Sequence, residues 1–448
     1  MRPAWATTDN PAEPQPDEQP RMAKILYLAH RVPFPPNKGD KIRAYHILQY
    51  LAARHDVWLG AIADDPADMA HLPWARRHLA DAFFGAPGRY AMAANMAAAA
   101  LSGRPISVDR FRHRGLGRWI RTVLDEVRPD LVYVFSSALA HYVAGRLPAG
   151  TGMIVDFVDA DAEKWRAYAE RARAPKRWIY GAEFRNLVRY ERRALAAADA
   201  GILITKAEQE LMARLQPGAA GKLHVIGNGV DTDYFAPPGG TIPGGDIVFC
   251  GMMDYLPNVD AACWFAHDIL PRIRQAMPYA RLRIVGARPS AQVLALAALD
   301  GVDVTGAVPD VRPYLHGAAA IVAPLRIARG IQNKVLEGMA AGRPVIVTSQ
   351  ALEGMDARHG RDVLVADTSE DMARAAIAVL RGQAPEGLGA AGRAYVVAHH
   401  RWQEQLGGLD SLVAAALHDA HARLQLRTGE TRLATGSGNC RQARMKNA

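Results

Sequence analysis

The chain has 448 residues, half of them apolar, which is more than one hydrophobic core usually organises and points to two domains of roughly 200 residues each. Its three cysteines, Cys250, Cys263 and Cys440, show no metal-ligand spacing and their odd number argues against a disulfide framework, so a reducing, cytoplasmic setting is expected. A net charge of +9 favours an anionic partner, and no apolar run approaches the roughly 20 residues of a membrane span.

In chain order, residues 1–21 are rich in proline and acidic residues, lack the charged-then-apolar order of a signal peptide, and read as a disordered tail. Short apolar runs then alternate with helical patterns: KILYLA (Lys24–Ala29), VWLGAI (Val57–Ile62), LVYVF (Leu131–Phe135), MIVDFV (Met153–Val158) and GILIT (Gly201–Thr205). Strands separated by helices predict a parallel sheet, here an N-terminal domain over 22–227. The turn-rich patch NGVDTDYFAPPGGTIPGG (Asn228–Gly245) reads as a linker over 228–245. The pattern restarts with DIVFCG, LRIVG, VDVTG, AAIVAP, PVIVT and DVLVA in a second domain over 246–400, followed by a last helix at 401–424 and a polar tail at 425–448. The expected fold class is α/β, two doubly wound Rossmann-like domains facing a cleft, with ligands beyond the carboxyl ends of the strands.

The loops after those strands hold the candidate chemistry. After the first strand come His30 and RVPFPPNKGDKIR, in which Gly39 permits close backbone approach and Lys38, Lys41 and Arg43 add charge. DFVDADAEKW offers Asp156 and Asp159 at a strand end. Asp159 can act as an acceptor-orienting group or base, or else cap the following helix; Asp159, Ala160 and Asp161 also spell the Asp-x-Asp of some metal sites, a reading the doubly restarted pattern disfavours. From Glu163 to Leu195 ten Lys or Arg residues stand against four Glu, interleaved with Trp165, Tyr168 and Trp178. Such a stretch either lies against anionic lipid headgroups or is a solvated face.

In the second domain, GMMDYLPNVD places Gly251 at a turn and Asp254 and Asn258 as polar contacts, with GARPS (Gly286–Ser290) and TGAVPD (Thr305–Asp310) lining the same pocket. RIARGIQNKVLEGMAAGRPVIV (Arg326–Val347) is the most informative segment. Gly330 lets the backbone turn, the N–H groups of Gln332, Asn333 and Lys334 stand at a helix start as a phosphate seat, Lys334 adds a full charge, and Glu337 can accept from two ribose hydroxyls. The plainer alternative is a first-turn glutamate and a solvated lysine.

The run from Glu337 through AAGRPVI resembles the C-terminal signature of glycosyltransferase family 4, of the two-domain GT-B type. The resemblance extends over Met22 to about Leu424. It is nearest to the exosortase/PEP-CTERM-associated sugar transferases of exopolysaccharide loci, through PFPPNKGDKIRAYHIL, DFVDADAEKW, GMMDYLPNVDAACWF and GIQNKVLEGMAAGRPVI, while NGVDTDYF resembles the usual linker of the wider family. One departure stands out: the family commonly has two glutamates with seven residues between them, and here the first position is Arg329, which either meets an acidic group of the donor or faces solvent.

The resemblance implies a retaining, metal-independent, hexosyltransferase-like enzyme that uses a nucleoside-diphosphate sugar as co-substrate and needs no other cofactor. The catalytic residues expected are Lys334 and, in a region where many relatives have a histidine and this sequence offers aspartates, Asp159; the donor ligands expected are Gly39, Gly251, Asn258, Arg329, Gly330, Gln332, Asn333, Lys334 and Glu337. The acceptor expected is a lipid-linked or polysaccharide intermediate of exopolysaccharide biosynthesis, met by a cytoplasmic enzyme peripheral on the inner face of the plasma membrane, with no nucleic-acid partner. HHRWQEQL (His399–Leu406) resembles the terminal helix that crosses back to the first domain, with Trp402 as a packing anchor. An epimerase or hydrolase of the same build and a catalytically silent scaffold are the competing readings; a G-x-G-x-x-G dehydrogenase is disfavoured because AHRVPFPPNKG follows the first strand.

Overall fold

The structure is a computed structural model that describes residues 22–36, 38–238, 245–328 and 330–444, with side chains described as far as 426. Most of the apolar runs become strands buried on both faces, as in parallel sheets covered by helices; LVYVF, for example, is buried at every position, while the edge strand VDVTG is only half covered. The first sheet has seven parallel strands, β1 (Lys24–Ala29), β2 (Asp56–Ile62), β3 (Asp81–Gly85), β4 (Leu131–Phe135), β5 (Gly152–Val158), β6 (Ala200–Leu203) and β7 (Leu223–Val225), in the order β3-β2-β1-β4-β5-β6-β7. The second has six, β8 (Asp246–Cys250), β9 (Arg281–Val285), β10 (Val302–Gly306), β11 (Ala318–Ala323), β12 (Val345–Val347) and β13 (Leu364–Val365), in the order β10-β9-β8-β11-β12-β13. In each sheet the order reverses once, between β1 and β4 and between β8 and β11, and such a reversal opens a crevice at the carboxyl ends of those strands.

The chain divides into two compact units, one of residues 1–203, 209–225 and 409–448, the other of 204–208 and 226–408. The turn-rich patch read as a linker is packed into the second unit: Val230 N–H donates to the His400 carbonyl at 2.7 Å, and Phe235 is buried in that unit's core. Trp402, 5 % exposed, anchors the same corner, where a Cβ on Gly229 would sit 2.8 Å from it. The last helix runs from Trp402 to Arg444, past the Gln425 at which the sequence suggested a polar tail. From Leu409 on it belongs to the first unit, burying Leu409, Val413, Ala416 and Ala420 at helical spacing. Tyr50 bonds Asp410 at 2.7 Å and Arg423 pairs with Asp199, which hold the helix in place.

The first unit has a charged heart. Arg43, from the helix Gly39–Ala52, places Nε 3.0 Å from Asp156 Oδ2, and the Tyr133 hydroxyl donates to the same oxygen at 3.0 Å. Arg43 and Asp156 are 1 % and 0 % exposed. This corrects the sequence reading of both residues: Asp156 is an internal ion-pair partner and not a cleft residue, and Arg43 is not available to a ligand. Lys41 is likewise buried against Asp68 at 2.7 Å, and Lys38 lies 3.8 Å from Asp64.

Candidate active site

In the second unit the ladder continues one residue past the strands. Gly251 N–H donates to the Val285 carbonyl at 3.0 Å and Gly286 N–H to that of Gly306 at 3.1 Å. Gly286 has φ +153°, and a Cβ there would lie 1.7 Å from the Gly251 carbonyl oxygen, so this crest of backbone tolerates no side chain.

Across the switch point between β8 and β11, two elements reach toward each other. Asn258, on the helix Leu256–Trp264 after β8, donates through Nδ2 to the Met252 carbonyl at 2.9 Å and accepts from the Lys334 ammonium through Oδ1. Lys334 comes from the helix Asn333–Ala340 after β11, and its Nζ lies 4.8 Å from the centre of the Phe249 ring, a cation–π contact. A Cβ on Gly251 would meet Asn258 Nδ2 at 2.7 Å and Lys334 Nζ at 3.3 Å, which explains the glycine.

Burial sets the protonation of this pair. The Glu337 carboxyl, one turn along the helix, is pushed up to about 7 by desolvation, against the pull of Lys334. Desolvation also brings the Lys334 ammonium down to about 8, opposed by Cys250 and Glu337. The Cys250 thiol is raised by burial and by Glu337, so it stays protonated and inert.

The helix start fits an anion. Gln332 occupies the N-cap without a side-chain cap bond, the first internal bonds are those of Val335 and Leu336 N–H to the Gln332 carbonyl, and the N–H groups of Asn333 and Lys334 have no intrahelical acceptor. Gly330, at φ +62°, turns the chain, and Gln332 Nε2 closes that turn on the Gly330 carbonyl at 3.1 Å. Asn333 Oδ1 accepts from Asn228 at 3.3 Å. Arg329 lies outside the described residues, and Arg326 is taken up by Asp260 at 2.6 Å and 3.0 Å. The loop after β8 carries no arginine of its own; Arg288, from the loop after β9, lies 3.9 Å from Asp254 and brings a guanidinium to the same crest. Sequence reasoning missed the contact of Phe249 and reached Arg288 only as part of GARPS; the signal for both was their position at the carboxyl ends of neighbouring strands.

In the first unit Gly39 is the first residue of the helix Gly39–Ala52. At the end of β5, Asp156 Oδ1 accepts from Val158 N–H at 3.0 Å, and the β5–β6 register shifts at that point. Val158 is held at φ +69°, a strained setting for a β-branched residue. Ala160, not Asp159, occupies the N-cap of the helix Asp161–Arg171, which sets aside the capping alternative. Asp161 is raised by burial, which disfavours its ionised form. Among the described residues no group of three His, Cys, Asp or Glu side chains is arranged to hold a metal.

The basic, aromatic stretch folds as a helix hairpin over Asp161–Arg171 and Lys176–Ala197. Trp165 is partly buried and packs 5.6 Å from the Tyr180 ring, whereas Trp178 is 71 % exposed. No helix among the described residues is long and apolar enough to cross a membrane.

Residues 39–234 match the family model for Glycosyltransferase Family 4, and residues 244–382 match that for Glycosyl transferases group 1. Among solved structures, Anabaena HepE in complex with UDP-glucose aligns at TM-score 0.61 and 15 % identity, covering 87 % of this chain and 100 % of that one. Sucrose-phosphate synthase from Thermosynechococcus elongatus aligns at TM-score 0.64 and 17 % identity, over 91 % and 100 %. WaaG, a glycosyltransferase involved in lipopolysaccharide biosynthesis, aligns at 0.59 and 14 %, over 86 % and 98 %. At these identities the likeness carries the fold. A search of the curated proteins finds no match.

Proposed function

The chain is a glycosyltransferase of the two-domain GT-B type, and we propose that its second unit holds a nucleoside-diphosphate sugar through Lys334, Glu337 and the helix start at Asn333. The observation that carries the reading is the Lys334–Asn258 bond across the switch point of the second sheet, with Glu337 one turn further along the same helix. The diphosphate sits on the N–H groups of Asn333 and Lys334 and on the ammonium, while Glu337 accepts from the ribose hydroxyls. Gly251, Gly286 and Gly330 let the backbone close on the ligand, with Gln332 beside it.

In the reaction the bond between the anomeric carbon and the diphosphate oxygen breaks and a bond to the acceptor oxygen forms. The negative charge left on the diphosphate is stabilised by Lys334 and the helix start, which do the work of a metal ion in a metal-independent enzyme. Asp159 is assigned to orient the acceptor hydroxyl or to take its proton. A retaining outcome follows from the resemblance described above, as does an exopolysaccharide intermediate as acceptor. UDP is the first base to test, because the HepE structures contain UDP and UDP-glucose. A lipid-linked acceptor on the inner membrane face suits the exposed Trp178 and Ile179 among basic residues.

The test is a thermal-shift comparison of wild type and Glu337→Ala with UDP, GDP, ADP, TDP and CMP and no added metal. One diphosphate is expected to stabilise the wild type and not the variant. Stabilisation by none of them, or equal stabilisation of both proteins, removes the donor site from this helix start.

A further inference from the structure

Apart from the strand-end sites, the first unit carries a cavity of about 630 Å³ lined by its own residues alone. Its walls are the segment from Gly103 to Arg112, the Ala140–Gly145 segment after β4, and the second half of the helix Lys176–Ala197. The apolar part of the lining is made by small side chains such as Val108, Ala144 and Ala194. The charged part is one-sided: Arg104, Arg112, Arg189 and Arg193 stand against one carboxylate, Asp109.

Asp109 is itself buried, at 1 % exposure, and its two oxygens accept from Arg104 Nε at 2.8 Å and Arg112 Nε at 2.6 Å. A carboxylate engaged in this way fixes both guanidinium groups by their inner nitrogens and leaves the terminal ones for another acceptor. Arg189 is steadied by Asn186 at 3.2 Å. His141 lines the same cavity. Its Nδ1–H donates to the Ala138 carbonyl at 2.9 Å, so Nε2 carries the lone pair, and that buried atom has no hydrogen-bond partner among the described residues. Desolvation, helped by Arg112, holds this ring neutral, with its pKa down to about 4.

We propose that this cavity binds a phosphate ester that also bears a hydroxyl, the arginines taking the phosphate oxygens and His141 Nε2 accepting from the hydroxyl. Several guanidinium forks converging on one cavity suit the three oxygens and the double charge of a phosphate monoester, and an unsatisfied neutral acceptor beside them selects a donor such as an alcohol. This site stands independently of the donor reading. Two sources share the chemistry: a soluble ester such as a polyol or sugar phosphate, and a phospholipid headgroup. The second would use the neighbouring helix Arg89–Ser102, which leaves Tyr90 and Leu101 94 % and 91 % exposed.

The experiment compares the full chain with the double variant Arg189→Gln, Arg193→Gln, both positions being exposed on one helix face. Glycerol 3-phosphate is titrated by calorimetry, and co-sedimentation is measured with vesicles of phosphatidylcholine alone and of phosphatidylcholine with phosphatidylglycerol. Saturable binding of glycerol 3-phosphate that weakens at least tenfold in the variant supports the proposal with a soluble source. Phosphatidylglycerol-dependent sedimentation that weakens at least tenfold, without binding of the soluble ester, supports it with a lipid source. Equal behaviour of the two proteins in both assays, or no binding in either, overturns it. UDP binding is followed in the same samples as a folding control, and Glu337→Ala is expected to bind glycerol 3-phosphate as wild type does, so failure of this site and failure of the donor site are told apart.

Discussion

Lys334 and Glu337 are set by burial to work over a narrow range of pH. Glu337, raised to about 7, is ionised only above that value, and Lys334, lowered to about 8, is charged only below its own. Affinity for UDP is therefore expected to peak between pH 7 and 8, falling on the acid side as the carboxylate is protonated and on the alkaline side as the ammonium is lost. Calorimetry from pH 5.5 to 9.5 checks this, and Glu337→Gln is expected to erase the limb near 7; a flat wild-type profile would sink the assignment. Removing the carboxylate altogether, in Glu337→Ala, should weaken UDP by about 1.5 to 3 kcal/mol, the range for hydrogen bonds to charged groups. At this scale the sequence was readable where spacing alone decides position. Asn333, Lys334 and Glu337 had to share one helix, and Gly251 and Asn258 had to lie on the turn after one strand and the start of the helix that follows it. The partner of each side chain was not readable: nothing in the order of residues joins Lys334 to Phe249 and Asn258, or Arg43 to Asp156, because those meetings depend on which strands lie side by side.

The helix Gly39–Ala52 and strand β5 are joined by the Arg43–Asp156 pair, and removing one partner strands the other charge in the core. Arg43→Ala is expected to cost about 3 to 5 kcal/mol of stability, whereas Arg43→Met combined with Asp156→Leu should recover much of that loss. Urea denaturation of the three proteins measures it, and an unperturbed single variant would mean that the pair contributes nothing. In the second unit Gly286→Ala drives a methyl group into the Gly251 carbonyl and should cost more than about 3 kcal/mol, read as loss of the soluble protein or of its cooperative unfolding. Element by element, the buried strands were legible because a parallel sheet writes itself as continuous apolar runs. β3 and β7 were not, since DAFFG and LHV are edge strands, short and half covered, whose pairing comes from their neighbours rather than from their own composition.

For the molecule as a whole, acid is expected to act on buried histidines in the first unit. Burial lowers His46 to about 3 and His141 to about 4 from an ordinary 6.5, so the stability they contribute is present above pH 6.5 and is lost as pH falls toward those lower values. The melting temperature should decline between pH 6.5 and 4, more gently in His46→Gln; equal slopes would exonerate that ring. Two α/β domains were legible from the restart of the strand pattern after Asn228. The path between them was less so, because the patch read as a linker buries Phe235, and the final helix serves the first unit from Leu409 on.

That last arrangement has a bearing on how the protein is made. A ribosome releases the strands of the first unit early and the helix that covers Gly150 and Gly152, through Leu424 and Ala416, only after the second unit has emerged in full. The half that is translated first is thus completed last, and during synthesis the apolar surface that Leu409, Val413, Ala416 and Ala420 later cover stays exposed.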